Sequence, residues 1–233
     1  MDETLTIPAR FCGPPTSGNG GYTAGLLAAH VGSPVVEVTL RRPPPLDTPL
    51  AVVRDGDTVR LLDGDALVAE ARPAVPDVDV PGPVPPEEAA RASERAPVLA
   101  WSPFGTCFTC GPDRTEGDGL RIFAGPTGDG VHGAAPWTPA FGDGEGRVEE
   151  PVVWAALDCP GYGVLPAGTT ALLGRITAEV RERPRVGEPH VIVARLDGAD
   201  GRKRHTTTAL YAPDGRLLGW ARAVWILVDP PHS

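Results

Sequence analysis

The segment EEPVVWAALDCPGYGVL, Glu149–Leu165, decides how the rest of the chain is read. Val152, Val153, Ala155, Ala156, Leu157, Val164 and Leu165 make it apolar on nearly every side. That pattern predicts a helix over Val152–Leu165 buried on most faces, not a surface helix with one wet side. Asp158 is the carboxylate set inside this run. Burial penalises its charged form, so it must be hydrogen-bonded, paired or held for chemistry. Two roles stay open at this point. Asp158 either caps a helix that starts at Cys159–Pro160, since Asp at N-cap with Pro just inside is a regular start, or it serves a reaction.

On both sides of this segment the chain reads as strands. Gly119–Phe123 and Val131–Trp137 precede it; Ala171–Glu182, Pro189–Leu196, Lys203–Ala212 and Leu217–Val228 follow. The first half has the same order. Leu5–Cys12 reads as a strand or an extended lead-in, and Gly13–Gly21, GPPTSGNGG, as a turn-rich loop. A helix over Gly20–Val31 follows, with Gly32 as its C-cap. Then come strands at Val35–Leu40, Leu50–Arg54, Thr58–Leu62 and Ala66–Arg72, with turns at Asp55–Asp57 and Asp63–Asp65. One helix followed by an antiparallel meander, twice, gives an α+β fold.

The halves echo each other in sequence. DGDALVAEARPAV (Asp63–Val75) matches DGRLLGWARAVW (Asp214–Trp225), with the Ala-Arg pairs 150 residues apart. VEVTLRRPPPL (Val36–Leu46) matches AEVRERPRV (Ala178–Val186), each a strand running into Arg-Pro. Joining the two sheets edge to edge would cover strands that a lone half leaves open. The expected organisation is therefore residues 1–80, a proline-rich linker at 81–100 and residues 101–233, with both helices on one side of a continuous sheet. Within the wider Ala74–Gly105 break, Glu87–Arg95 predicts a short polar surface helix.

Composition removes several function classes. With 41% apolar and 22% charged residues a core can form, and 29 Gly with 28 Pro favour short elements and many turns. A net charge of −9 argues against nonspecific nucleic-acid binding, which needs a basic face. MDETLTIPAR at the start has acids and no apolar core, and no run approaches the ~20 residues of a membrane span. Four scattered cysteines do not make a disulfide framework. The expectation is a soluble, cytoplasmic protein.

Taken together, CFTCGPDRTEGDGLRIF (Cys107–Phe123), the Gly20-Gly21 pair in NGGY and Asp158 in WAALD resemble the hotdog-fold thioesterase superfamily. The opening is similar to small acyl-CoA thioesterases of the phenylacetate type, whose central helix carries Gly-Gly followed seven residues on by a catalytic Asp. Asp158 stands at the Asp position, while Glu150-Pro151 stands where the glycines belong. The first half has the glycines, but Ala28 stands at its Asp position. This complementarity resembles the double-hotdog acyl-CoA thioesterases, in which one chain replaces a dimer. The resemblance also implies a supporting Gln and Thr. Their places fall at Arg222 or Ala223 and near Gly174, with Thr177 close by.

What the resemblance implies is a tandem hotdog that hydrolyses an acyl-CoA or acyl-carrier thioester. Asp158 would be general base or nucleophile, and the amides of Gly20, Gly21 and Tyr22 would bind the oxyanion. Asn19 would cap that helix or orient water, and Thr177 and Arg222 would contact substrate. No separate cofactor is implied, coenzyme A or the carrier being part of the substrate, and sheet-edge pairing makes a homodimer an expectation. A non-hydrolytic acyl-thioester binder is the competing reading, favoured by the missing Thr and Gln.

Other constellations are thinner. Cys107-x-x-Cys110 is half of a zinc pattern with no second pair, so no metal is expected, Cys12 and His132 being the recruits if there were one. No GxSxG occurs, and the five histidines form no motif with an acid. Arg202-Lys203-Arg204 reads as a solvated hairpin turn, with coenzyme A phosphates as the alternative. Trp101, Phe104, Trp137, Trp154 and Tyr162 are the large side chains available to line an acyl pocket.

Overall fold

The computed structural model describes residues 3–230, and in it both halves join in one antiparallel sheet. In the first half, β1 (Thr4–Leu5) and a 3₁₀ turn at Ala9–Phe11 lead to α1 (Gly20–Ala28). The meander β2 (Val35–Leu40), β3 (Leu50–Asp55), β4 (Thr58–Asp63) and β5 (Ala66–Pro73) follows. The crossing segment holds α2 (Pro86–Ser93) and α3 (Pro97–Ala100). The second half has β6 (Gly125–Pro126), β7 (His132–Trp137) and α4 (Glu150–Gly163). Its meander is β8 (Ala171–Val180), β9 (His190–Asp200), β10 (Lys203–Tyr211) and β11 (Leu217–Leu227).

Strand order is β1-β3-β4-β5-β2-β8-β11-β10-β9-β7-β6, so the two meanders are mirrored about the β2–β8 seam. The seam pairs Val36 with Ala178 and Val38 with Ile176. Ala71 lies opposite Val38, and Ala221 opposite Ala178, which upholds the 150-residue echo between β5 and β11. Val38 is thus the counterpart of Ala178. The β2 and β8 echo, which aligned Val36 with Ala178, is two residues out of register, an even slip that leaves every side chain on its proper face.

Helices α1 and α4 lie together on one face of this sheet, and their side chains form the main core with Ile176, Ala178, Ile192 and Ala221. Their approach is set by glycine. Gly21 and Gly25, four apart and so on one face of α1, leave no room for a side chain. A Cβ at Gly25 would come within 2.6 Å of the Pro151 Cα. Glycine in a helix interior costs about 0.5–1 kcal/mol relative to alanine, which the close packing here offsets.

Four sequence expectations are corrected. The helix reaches back to Glu150 with Pro151 in its first turn, so Asp158 lies past its middle and is not an N-cap. Gly119–Phe123 is irregular, because its backbone is held by Phe108 and Thr109 and not by a neighbouring strand. Leu5–Cys12 is strand over Thr4–Leu5 alone, since Phe11 N–H turns back to the Pro8 carbonyl. The Pro-rich segment is more than a linker. Ala89 and Ala92 of α2, with Val80 and Val84, cover Val191, Val193 and Tyr211 on the outer face of the second meander. Among the described residues no helix is long and apolar enough to cross a membrane.

Candidate active site

The first turn of α1 and the middle of α4 meet at Asp158. Asn19 is the N-cap of α1, its Oδ1 accepting from Tyr22 N–H at 2.9 Å. Gly21 N–H, the next free donor of that turn, donates to Asp158 Oδ2 at 2.9 Å. Residues 137 apart, one from each half, are thereby joined. Asp158 is 2% exposed, and its Oδ1 has no hydrogen-bond partner in the protein. Burial pushes its carboxyl up to about 8, against the Gly21 N–H, which favours the anion. Burial outweighs that hydrogen bond.

A cavity of about 240 Å³ runs past Asp158 and is lined by both halves. Gly18, Asn19, Gly20 and Leu40–Pro44 come from the first; Phe104, Cys107, Cys110, Asp158, Cys159, Tyr162, Leu172–Gly174, Trp225 and Ile226 come from the second. Arg42 and Arg41, the latter paired with Glu70, lie on its wall, and Leu40, Leu172, Leu173 and Ile226 give its apolar surface. Of the expected pocket aromatics, Phe104 and Tyr162 line it. Trp137 and Trp154 are in the core, and Trp101 is exposed.

The residues named from sequence divide clearly. Asn19, Gly20 and Asp158 line the cavity, and Gly21 and Tyr22 stand behind them. The Gly21 and Tyr22 amides are engaged by Asp158 and Asn19, and Gly20 is the first-turn residue that lines the cavity. The Tyr22 ring stacks on Phe11 with centroids 3.9 Å apart, away from the cavity lining. Thr177 and Arg222 are not brought to Asp158. They face each other across β8 and β11, on the outer side of the sheet, in a separate depression with Glu37 and Trp220. Alternation decides this, because their neighbours Ile176, Ala178, Ala221 and Ala223 are the inward residues. Position 174, where the resemblance puts the Thr, is glycine and has no side chain to offer.

Three residues beside the site escaped the sequence reading. Thr109 Oγ1 donates to the Ala155 carbonyl at 3.2 Å and accepts from Asn19 Nδ2 at 3.4 Å. Cys159 follows Asp158 along α4, and its Sγ lies 3.7 Å from that of Cys107. Trp225 donates to Thr206 Oγ1 at 3.1 Å in the wall behind Tyr162. The adjacency of Cys159 to Asp158 was the one available signal. Hydrogen bonds from Cys110 and Cys159 hold the Cys107 thiol well below the ordinary range, against its burial.

At the pseudo-equivalent end, where α1 carries Ala28 and α4 begins with Glu150-Pro151, the helices are in contact at Gly25, Pro151 and Trp154. Neither a carboxylate at position 28 nor a glycine pair at 150–151 is present there.

No protein-family model and no curated protein matches the chain. Solved structures do match over nearly its whole length. A candidate thioesterase from Novosphingobium aromaticivorans superposes with a TM-score of 0.65 at 13% identity, covering 97% of this chain and 95% of that one. A protein with a hotdog fold from Alicyclobacillus acidocaldarius gives 0.57 at 16% identity, covering 97% and 93%. An acyl-CoA thioesterase II from Mycobacterium marinum gives 0.54 at 11% identity, covering 84% and 80%. The fold is therefore a hotdog. With two helix-and-meander units on one sheet, it is a tandem, double hotdog of the α+β class.

Proposed function

We propose that the protein hydrolyses an acyl thioester, carried on coenzyme A or an acyl carrier, at one site between its halves. The observation that carries this is the state of Asp158: one oxygen fixed by Gly21 N–H, the other unpartnered, on the wall of a cavity with apolar sides. A carboxyl whose pKa lies near working pH is suited to take a proton from water.

In this reading the acyl chain lies along Leu40, Leu172 and Leu173, and Arg41 and Arg42 meet the anionic carrier. Asp158 Oδ1 takes a proton from water as the water oxygen bonds to the thioester carbon. The carbonyl oxygen becomes an oxyanion and accepts from Gly20 N–H, at the positive end of α1. Collapse breaks the carbon–sulfur bond, and the departing thiolate receives the proton that Asp158 holds. Asn19 keeps the turn in shape, and glycine at position 20 allows the carbonyl close to the backbone. The thioesterases among the structural neighbours support this reading at the level of shared fold.

A second reading, binding without hydrolysis, is favoured by Gly174, where no hydroxyl stands beside the acid. Incubation with acyl-CoAs of graded length separates the two. Hydrolysis releases free thiol in proportion to time, whereas a binder protects the thioester while shifting the melting temperature.

A further inference from the structure

The fold completes what the Cys107-x-x-Cys110 pair lacks. Sequence spacing offered no further ligand, and the two named recruits lie elsewhere. Cys12 Sγ is against Thr106 and Arg114, and His132 is held by Asp129. It is Cys159 that α4 brings in, so that the sulfurs of Cys107, Cys110 and Cys159 lie within 4.8 Å of one another, all buried. We propose that these three cysteines bind a thiophilic divalent cation of the zinc class, with a fourth coordination position open to the cavity.

Distances favour it. Two thiolates on one tetrahedral zinc, each at about 2.3 Å, lie roughly 3.8 Å apart. Cys107 and Cys159 are 3.7 Å apart. The loop is also shaped for a metal. Gly111 N–H closes it on the Cys107 carbonyl at 2.9 Å, and a Cβ at Gly111 would sit 2.5 Å from that oxygen. From the other side, Asn19 Nδ2 lies 3.7 Å from both Cys107 and Cys159 Sγ. Tyr22 N–H engages Asn19 Oδ1, which fixes the amide with its donor toward sulfur. Donors aimed at sulfur stabilise thiolates and hold ligands in place.

All three cysteines line the cavity. Three protein ligands with an accessible fourth place is the pattern of an exchangeable zinc site, whereas structural sites are closed by four. The inference does not rest on thioester hydrolysis, since it uses sulfur geometry alone.

The test is a cobalt titration of reduced, chelator-treated protein. The expected result is one cobalt per chain, with a thiolate-to-cobalt charge-transfer band and visible bands of tetrahedral intensity that azide shifts. Cys159→Ser should weaken uptake by about 10²-fold, while Cys12→Ser leaves it unchanged. If Cys159→Ser does not fold, alkylation of the parent decides: zinc should shield three of its four thiols. Absence of the charge-transfer band, full uptake by folded Cys159→Ser, or alkylation indifferent to zinc would overturn the site. Bands that ignore azide would overturn the open fourth position.

Discussion

The amide nitrogen of Gly21 stands 2.9 Å from Oδ2 of Asp158, and this hydrogen bond ties the first turn of one half's helix to the middle of the other's. Neither half holds both partners, so the site exists only where the two helices touch. The same contact leaves no space. A Cβ at Gly21 would fall 2.5 Å from the Asp158 Cβ and 2.7 Å from the Trp154 carbonyl oxygen. Gly21→Ala should therefore push α1 from α4, destabilising the protein by about 1–3 kcal/mol. Hydrolysis should drop about 10²-fold, the scale of a misplaced reacting group. Denaturant titration and steady-state rates on the same variant check both.

Asp158 should cost stability where it would serve chemistry. Its folded pKa, about 8, is raised above the ordinary carboxyl value of roughly 3.9. Its contribution is thus fully present below about pH 4 and is lost as pH rises through about 8. In chelator-treated protein, Asp158→Asn should unfold with nearly parental stability at pH 4. At pH 8 it should gain at least about 1 kcal/mol on the parent, because no buried carboxylate remains. Paired denaturation curves at the two pH values read the difference. An unchanged gap would mean that the group does not titrate in this window.

Thr177 and Arg222 supply a contrast. They lie on the outer face of β8 and β11, separated from Asp158 by the sheet. Thr177→Ala and Arg222→Ala should each leave kcat/KM within about twofold of the parent, the usual result for surface substitutions remote from a site. A larger loss would show that the outer depression takes part in binding.

The cavity wall sets chain length in this account. Leu172 lines it on β8. Leu172→Trp should reduce the available volume and move the ratio of kcat/KM values toward shorter acyl chains, with less change for the shortest substrate. Rates across a graded acyl-CoA series test this.

The fold was legible because period-two strands and two apolar helices follow the same order in each half, and the Ala-Arg echo aligned β5 with β11. Helix boundaries were less so. Asp-Cys-Pro at 158–160 imitates a helix start, and only the packing of Val152–Leu157 against the sheet carries the helix through it. Asp158, Asn19 and Gly20, which line one cavity, were readable as a candidate site because a carboxylate in an apolar run and a glycine pair after Asn are local signals. Thr177 and Arg222 were misjudged for a geometric reason: they pair in regular register across β8 and β11 with Ile176, Ala178, Ala221 and Ala223 as their inward neighbours, so alternation turns both outward, and nearness in sequence to the expected place does not register which face a residue takes. The grouping of Cys159 with Cys107 and Cys110 depends on α4 meeting the Cys107 loop 52 residues away, which no spacing rule encodes.

The most direct test of a single acid acting between the halves is thiol release from an acyl-CoA by the parent and by Asp158→Asn, side by side. The substitution is nearly isosteric and leaves an oxygen for Gly21 N–H, so folding should hold. Turnover should decrease by about 10²–10⁴, the range for losing a general base. An Asp158→Asn protein that is folded and releases thiol as fast as the parent would contradict the account.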